Sequence, residues 1–410
     1  MLNRVSYCTR PLLLASMLVT LAGGSAAAQK KYDTGATDTE VKLGQTAPYS
    51  GPVSAYATAA KIEQAYFRMI NEKGGINGRK INIISYDDGY SPSKTVEQVR
   101  KLVESDEVLA LFNTIGSPTS AAIQKYVNQK GIPHILVGTG ASRWADPKNF
   151  PWSMGWQVNY RTEARIYAKY ILKNYPGKTV GILYQNDDFG RDYIAGFHEV
   201  FGKDASKIII AEVPFDAGSP TVDAQIVQIK AANPEIFLDI ATSKFAAQAI
   251  RKMGELQWRP IHILTAVSAT VSGVLKPAGL EHAQGIITAA YMKDPTDPKW
   301  KDDPGMIEWR AFMTKYYPEG DLGDISNVLG YSYSIGLAQV LKQCGDDLTR
   351  TNLMKQMANL DMEVSVFLPG VRVKTSATDY VPTDQLQMMR FKGESWELFG
   401  PLINGSDGPD

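Results

Sequence analysis

The chain has 410 residues, and its 43 lysines and arginines balance 43 aspartates and glutamates. At 44% hydrophobic and 21% charged residues it has material for a sizeable core, and disorder, collagen-like repeats or a disulfide scaffold do not fit. The even charge gives no reason to expect a nucleic-acid partner, and 2 cysteines and 4 histidines leave little for structural zinc.

Met1 to Arg10 carries Arg4 and Arg10 and no acid. Pro11 to Ala22 is almost entirely apolar, and Gly23 to Ala28 is a run of small residues. A basic start, an apolar run and an Ala-x-Ala site predict a secretory signal peptide over residues 1–28, cleaved after Ala28. The run is short of the roughly 20 apolar residues that span a bilayer. Cys8 precedes the run, where a lipoprotein signal would not place its cysteine. Cleavage would remove two arginines and no acid, so the exported chain would carry 41 basic and 43 acidic residues. It would keep Cys344 as its one thiol.

From Val41 onward, short apolar runs alternate with amphipathic stretches. Val41–Ala47 reads as a strand. Ala55, Ala59, Ile62, Tyr66, Met69 and Ile70 then recur at helical spacing, and Gly74, Gly75 and Gly78 end that helix. Lys80–Tyr86, Val108–Asn113 and His134–Gly138 read as buried strands, with helices at Ser93–Glu104 and Ser117–Lys130. Phe150–Trp156 is aromatic and irregular. The same grammar then restarts. Strands at Thr179–Gln185, Lys207–Val213, Glu235–Ala241 and Ile261–Val267 alternate with helices at Arg161–Lys173, Phe189–Phe201, Thr221–Ala232 and Ser243–Glu255. A proline-rich loop at 293–305 follows, then helices at Glu308–Tyr317, Ile325–Leu341 and Leu348–Asn359. A hairpin of Leu386–Phe391 and Glu394–Phe399 closes the chain. This pattern predicts an α/β fold of two Rossmann-like lobes with mostly parallel sheets.

Open parallel sheets bind ligands beyond the carboxyl ends of their strands. One such end is Thr114-Ile-Gly-Ser-Pro118, where Ser117 reads as a helix N-cap and Pro118 as the first helical residue, a setting that suits a carboxylate. The next is Gly138-Thr-Gly-Ala-Ser-Arg-Trp144, where Gly140 permits close backbone approach and Ser142 offers a hydroxyl. It lacks the glycine spacing and position of a dinucleotide loop. His134, His198, His262 and His282 have no metal-ligand spacing, and neither a nucleophile elbow nor a Walker A loop is present. Asp87-Asp88 and Asp187-Asp188 each follow a strand and read as helix-capping acids rather than metal ligands. No catalytic residue, metal or cofactor is expected.

Taken in order, Gly44-Gln-Thr-Ala-Pro-Tyr-Ser-Gly-Pro52, Asn71-Glu-Lys-Gly-Gly-Ile-Asn-Gly-Arg79, the Gly116-Ser117 turn and Tyr184-Gln-Asn-Asp-Asp-Phe-Gly190 resemble the type I substrate-binding proteins of ABC importers, the leucine/isoleucine/valine-binding branch. The resemblance runs over roughly 40–400. It implies two lobes, 41–157 with 287–360 and 158–286 with 361–400, closing on a ligand about a hinge of several chain crossings. It implies a periplasmic monomer that captures a small carboxylate ligand and delivers it to a membrane permease. Ser117, Gly140 and Ser142 would hold the carboxylate, and Tyr56 would cover the ligand's side chain. Phe189 and the Thr242-Ser243-Lys244 turn would face the cleft from the second lobe.

Members of that family that bind α-amino acids commonly hold the ammonium with an acid just after the strand that corresponds to Ile261–Val267. Here that stretch, Thr265-Ala-Val-Ser-Ala-Thr-Val-Ser272, has none. The expectation is a carboxylate without an ammonium, an aromatic or branched acid, walled by Tyr56, Phe189 and either Tyr49 or Trp144. Arg143 is a further charge partner, and Asp239 a substitute acid that would restore an amino-acid ligand. A sensor feeding a separate receptor and a secreted α/β enzyme are the alternative readings.

Overall fold

A computed structural model describes residues 1–6 and 30–405. The apolar run and cleavage site expected of a leader, and Cys8, lie outside the described residues. Strand β1 (Glu40–Ala47) is buried continuously from Leu43, because helices cover both of its faces. The helices α1 (Ala57–Glu72), α2 (Pro92–Glu104) and α3 (Ser117–Lys130) connect it to β2 (Lys80–Asp87), β3 (Ala110–Phe112), β4 (His134–Val137) and β5 (Ser153–Gly155). The five strands form one parallel sheet in the order β2-β1-β3-β4-β5. The aromatic stretch expected to be irregular therefore supplies an edge strand, β5, through Ser153–Gly155.

The second half repeats the plan. Helix α4 (Tyr160–Asn174) leads to β6 (Val180–Gln185), followed by α5 (Asp188–Phe201), β7 (Ile209–Phe215), α6 (Asp223–Ala231), β8 (Ile236–Ile240), α7 (Ser243–Glu255), β9 (Ile261–Leu264) and β10 (Ile287–Ala290). The helices α8 (Pro304–Tyr316), α9 (Ile325–Cys344) and α10 (Arg350–Met357) come next, and the hairpin of β11 (Gln385–Lys392) and β12 (Ser395–Asn404) closes the chain. The second sheet has seven strands in the order β12-β11-β10-β9-β8-β6-β7. Strands β6 to β10 are parallel, and the hairpin adds two antiparallel strands at the edge. Both sheets reverse strand order once, between β1 and β3 and between β6 and β8, and such switch points open a crevice.

Three stretches of chain pass between the sheets, and two depart from the expected boundaries. The first follows β5 into α4 through Trp156–Asn159. In the second, Ile287–Ala290 was expected to begin the return to the first lobe, but it pairs with β9 and β11 inside the seven-stranded sheet. Its buried Ile-Thr-Ala-Ala run fills the last parallel position there, and the crossing comes after it. In the third, residues 361–384, expected with the second lobe, form a small hairpin of Asp361–Glu363 and Arg372–Lys374, and the Tyr380 hydroxyl donates to the Pro151 carbonyl beside β5 (3.1 Å). A continuous apolar core runs through both halves, from Leu43 and Phe112 to Ile182 and Leu238.

Candidate functional site

A cavity of about 110 Å³ lies between the carboxyl ends of the two sheets. That is several times the space one water needs, so the cavity has room for a small organic molecule. Both switch points contribute. Tyr56 comes from the turn after β1, and Asn113, Ile115, Gly116 and Ser117 from the turn after β3. Phe189 follows β6 and Thr242 follows β8. The crossings add Gln157, Val158, Tyr160, Tyr291 and Met292, and α9 adds Ile325, Ser326, Leu329 and Tyr333.

Helix α3 begins at Ser117 with Gly116 at its N-cap, and no side chain caps it. Ser117 was expected to be the cap itself. Gly116 takes that place because its φ is +111°, and a Cβ there would lie 2.4 Å from the Tyr90 ring. The Ser117 hydroxyl instead hydrogen-bonds the Thr139 hydroxyl (2.6 Å). The first amides of a 14-residue helix therefore meet the cavity wall where Gly116 and Ser117 line it.

Tyr56 ties the two halves together. Its hydroxyl accepts from the Ser243 N–H (3.2 Å) and donates to the Val267 carbonyl (3.3 Å). Burial pushes the phenol above its usual pKa, so it stays protonated and able to donate. Phe189 packs edge-on to Tyr160, with ring centroids 5.0 Å apart. Ser243 reaches Tyr56 through its backbone N–H, and its neighbour Thr242 lines the cavity while donating to Gln185 (3.0 Å). Lys244 is not among the lining residues.

Gly140 and Ser142 are absent from the lining. Gly140 is where β4's end meets the first crossing. Its carbonyl accepts from the Tyr160 N–H (2.8 Å), and a Cβ would lie 2.4 Å from the Val158 carbonyl. Ser142 is drawn away by Asp192 on α5. The Ser142 N–H and hydroxyl donate to the two Asp192 oxygens at 2.5 and 2.7 Å. Beside it Arg143 pairs with Asp188 (2.8 Å). Together with the Thr270 hydroxyl donating to Asp324 (2.9 Å), these contacts fasten one half of the molecule to the other.

Tyr49 and Trp144 are not walls of the cavity either. Tyr49 bonds Ser85 (2.7 Å), and Trp144 packs edge-on against His134 (5.4 Å between centroids). Asp239 is fully buried against His262 (3.4 Å), away from the lining, so it is no substitute acid there. Asp187 caps α5 by accepting from the Phe189 N–H (2.9 Å), and Asp88 accepts from the Tyr90 N–H (2.9 Å) in a turn. Among the described residues no three His, Cys, Asp or Glu side chains gather as a metal site would.

Several lining residues escaped the sequence reading. Glu163 is the most consequential. It sits on the buried face of α4, one turn before Tyr167, whose hydroxyl donates to it (2.7 Å). An acid on a helix's apolar stripe was the available signal. Asp294 lies in the proline-rich loop expected at 293–305, and it is buried and lines the cavity. Burial raises both carboxyl groups above the usual range, Asp294 to about 6. In the wall itself, Asn113 adopts φ +45° and donates to the buried Glu63, and its own carbonyl oxygen has no partner.

Residues 40–395 match the periplasmic binding protein family. The chain is a periplasmic binding protein. The Leu/Ile/Val-binding protein homolog 7 of Brucella suis is 22% identical over 322 residues, which cover 74% of this chain and 75% of that one. Among solved structures, a branched-chain amino acid ABC transporter protein from Thermus thermophilus with bound valine superposes with a TM-score of 0.80 at 15% identity. It spans 90% of this binding protein and 98% of its own length. A solute-binding protein of an ABC transporter from Rhodopseudomonas palustris, in complex with 3,4-dihydroxy benzoic acid, gives 0.75 at 17% identity over 89% and 98%. These likenesses establish the type I fold of two mostly parallel α/β halves. The family is one of solute-binding proteins rather than of enzymes, and among the described residues of this binding protein no helix is long and apolar enough to cross a membrane.

Proposed function

We propose that this binding protein works in the periplasm, exported by the 1–28 leader. There it captures a small carboxylate-bearing ligand of the branched-chain amino acid or aromatic acid kind between two lobes. It then delivers that ligand, as a monomer, to the membrane permease of an ABC importer. The observation that carries this is the cavity at both switch points, walled by Tyr56, Tyr160, Phe189 and Tyr291, with the start of α3 at one side. The aromatic walls suit a branched or aromatic side chain. The α3 amides and the Ser117 hydroxyl suit a carboxylate. Of the six residues expected to bind, Tyr56, Ser117 and Phe189 keep ligand-facing roles in this proposal. Gly140, Ser142 and Ser243 act in hinge packing and closure.

No covalent chemistry is required. The lobes rock about the crossings near 157, 291 and 375–384, and the ligand favours the closed form because only that form surrounds it. Isothermal calorimetry against branched-chain and aromatic amino acids, benzoates and branched acids tests the reading. One-to-one binding of a carboxylate, lost when it is converted to its amide, is the expected result. Equal binding of acid and amide would overturn the carboxylate assignment.

A further inference from the structure

Glu63 lies on the buried face of α1, fully enclosed, against two amide side chains. Asn113, at the end of β3, bonds its Oε1, and Gln45 of β1 bonds its Oε2. Among the described residues no lysine, arginine or histidine offsets a charge on it. The titratable groups that feel that charge are the phenols of Tyr49, after β1, and Tyr333, on α9. A bare carboxylate in such a place is costly. Burial accordingly pushes the Glu63 carboxyl well above the usual range, and the Gln45 and Asn113 bonds oppose that only in part.

The bonds behind Gln45 decide where a proton on Glu63 sits. The Gln64 amide nitrogen donates to the Ala60 carbonyl (3.3 Å), which can only accept, so the same nitrogen donates to the Tyr49 hydroxyl (2.8 Å). Tyr49 then donates to Ser85 (2.7 Å), and Ser85 donates to the Gln45 carbonyl oxygen (3.0 Å). That leaves the Gln45 N–H to donate to Glu63 Oε2. The proton therefore belongs on Oε1, the oxygen that faces Asn113. The two ends of an amide fill nearly the same space, so Asn113 can present either one to Glu63 without repacking. Facing a carboxylate it presents its nitrogen, and its own oxygen stays buried without a partner. Facing the acid it presents that oxygen, the orphan is satisfied, and its N–H groups turn outward. The outward end lies against Gly138, where a Cβ would come within 2.5 Å of it, and both residues line the cavity.

Among the described lining residues none is lysine, arginine or histidine, so a ligand carboxylate has to be met by neutral donors. Asn113 sits in the same turn as Gly116 and Ser117. We infer that Glu63 is a positioning residue of the cleft: it carries a proton in the folded protein, donates through it to the Asn113 carbonyl oxygen, and so turns the Asn113 N–H groups onto the ligand's carboxylate. This rests on the cavity being a carboxylate-capturing cleft.

Infrared difference spectra of the full chain at pH 7, wild type minus Glu63→Gln, test the proton. The C=O stretch of a protonated carboxyl is expected, and a difference holding only carboxylate bands overturns the inference. Calorimetry tests the role, with 4-methylpentanoate, 3-phenylpropanoate and benzoate each set against its amide. For each acid that binds better than its amide, Asn113→Gly, which suits the positive φ there, is expected to weaken the acid about tenfold and the amide less. Glu63→Gln, which keeps a donor toward Asn113, is expected to bind that acid about tenfold tighter than Glu63→Met, which has none. Equal affinities in either comparison overturn the inference and leave carboxylate capture standing. So does a Glu63→Gln affinity about tenfold above wild type, because the wild-type amide would then be showing its carbonyl to the ligand. If every acid binds no better than its amide, capture fails and the inference with it. Should a Glu63 variant not fold, the wild type minus Asn113→Gly spectrum replaces it. The acid band is expected to shift where its bond is lost, and an unshifted band overturns the inference.

Discussion

Replacing Asp192 by alanine removes both bonds that hold Ser142 across the cleft. Hydrogen bonds to a charged group contribute about 1.5–3 kcal/mol each in buried settings. Asp192 is half-buried, and water replaces its partners once the lobes part, so the two bonds together favour closure by about 2 kcal/mol. That is roughly 30-fold in the closing equilibrium. If the ligand binds only the closed form, the measured affinity falls by the same factor. The neighbouring Arg143–Asp188 pair is 36% and 39% exposed, which puts its contribution at about 0–1 kcal/mol. Asp192→Ala should therefore weaken binding far more than Arg143→Ala, which should change it less than about fivefold. Calorimetry gives the affinities, and small-angle scattering of the ligand-free protein should show the larger radius for Asp192→Ala. Equal effects of the two substitutions, or an Asp192→Ala affinity within threefold of wild type, would refute this account of closure.

Ser117→Ala should weaken carboxylate binding by about 1–3 kcal/mol through loss of one charge-assisted bond, and unchanged affinity would take Ser117 out of the site. Gly140→Ala drives a methyl to 2.4 Å from the Val158 carbonyl, which backbone cannot yield, so the urea midpoint should fall by the equivalent of about 1–3 kcal/mol. His134 is buried, which lowers its pKa to about 3 against about 6.5 in an unfolded chain. Between those values the unfolded chain holds the extra proton. His134 therefore costs stability progressively as the pH falls from about 6.5, by about 2 kcal/mol at pH 5. His134→Gln should lose that slope relative to wild type, and parallel denaturation curves from pH 7 to 5 would contradict the assignment. Burial raises the Cys344 thiol to about 12, so it should resist thiol reagents at pH 8 until denaturant is added.

Helices and strands were readable because their causes are local. Apolar residues at spacings of three and four set α1. Continuous buried runs set β6 and β8, and Ser243–Glu255 and Ser117–Lys130 emerge with the expected ends. The cavity was only partly readable. Tyr56, Ser117 and Phe189 follow strand ends, and a parallel sheet aims those turns at its crevice whatever their side chains do. Ser142 follows a strand end too, and nothing near it in the chain announces Asp192, 50 residues on.

The order of elements, and with it the expectation of two mostly parallel sheets, followed from periodicity, since amphipathic spacing is a property of neighbours in the chain. Which polar groups meet did not. Asp239 was expected as a substitute acid and is buried against His262, while Glu163, which the sequence did not single out, lines the cavity. Charge complementarity between the turn at Ala266 and the first turns of α4 exists only once the sheet has brought them together. A pairing between residues 103 positions apart is settled by packing rather than by local preference.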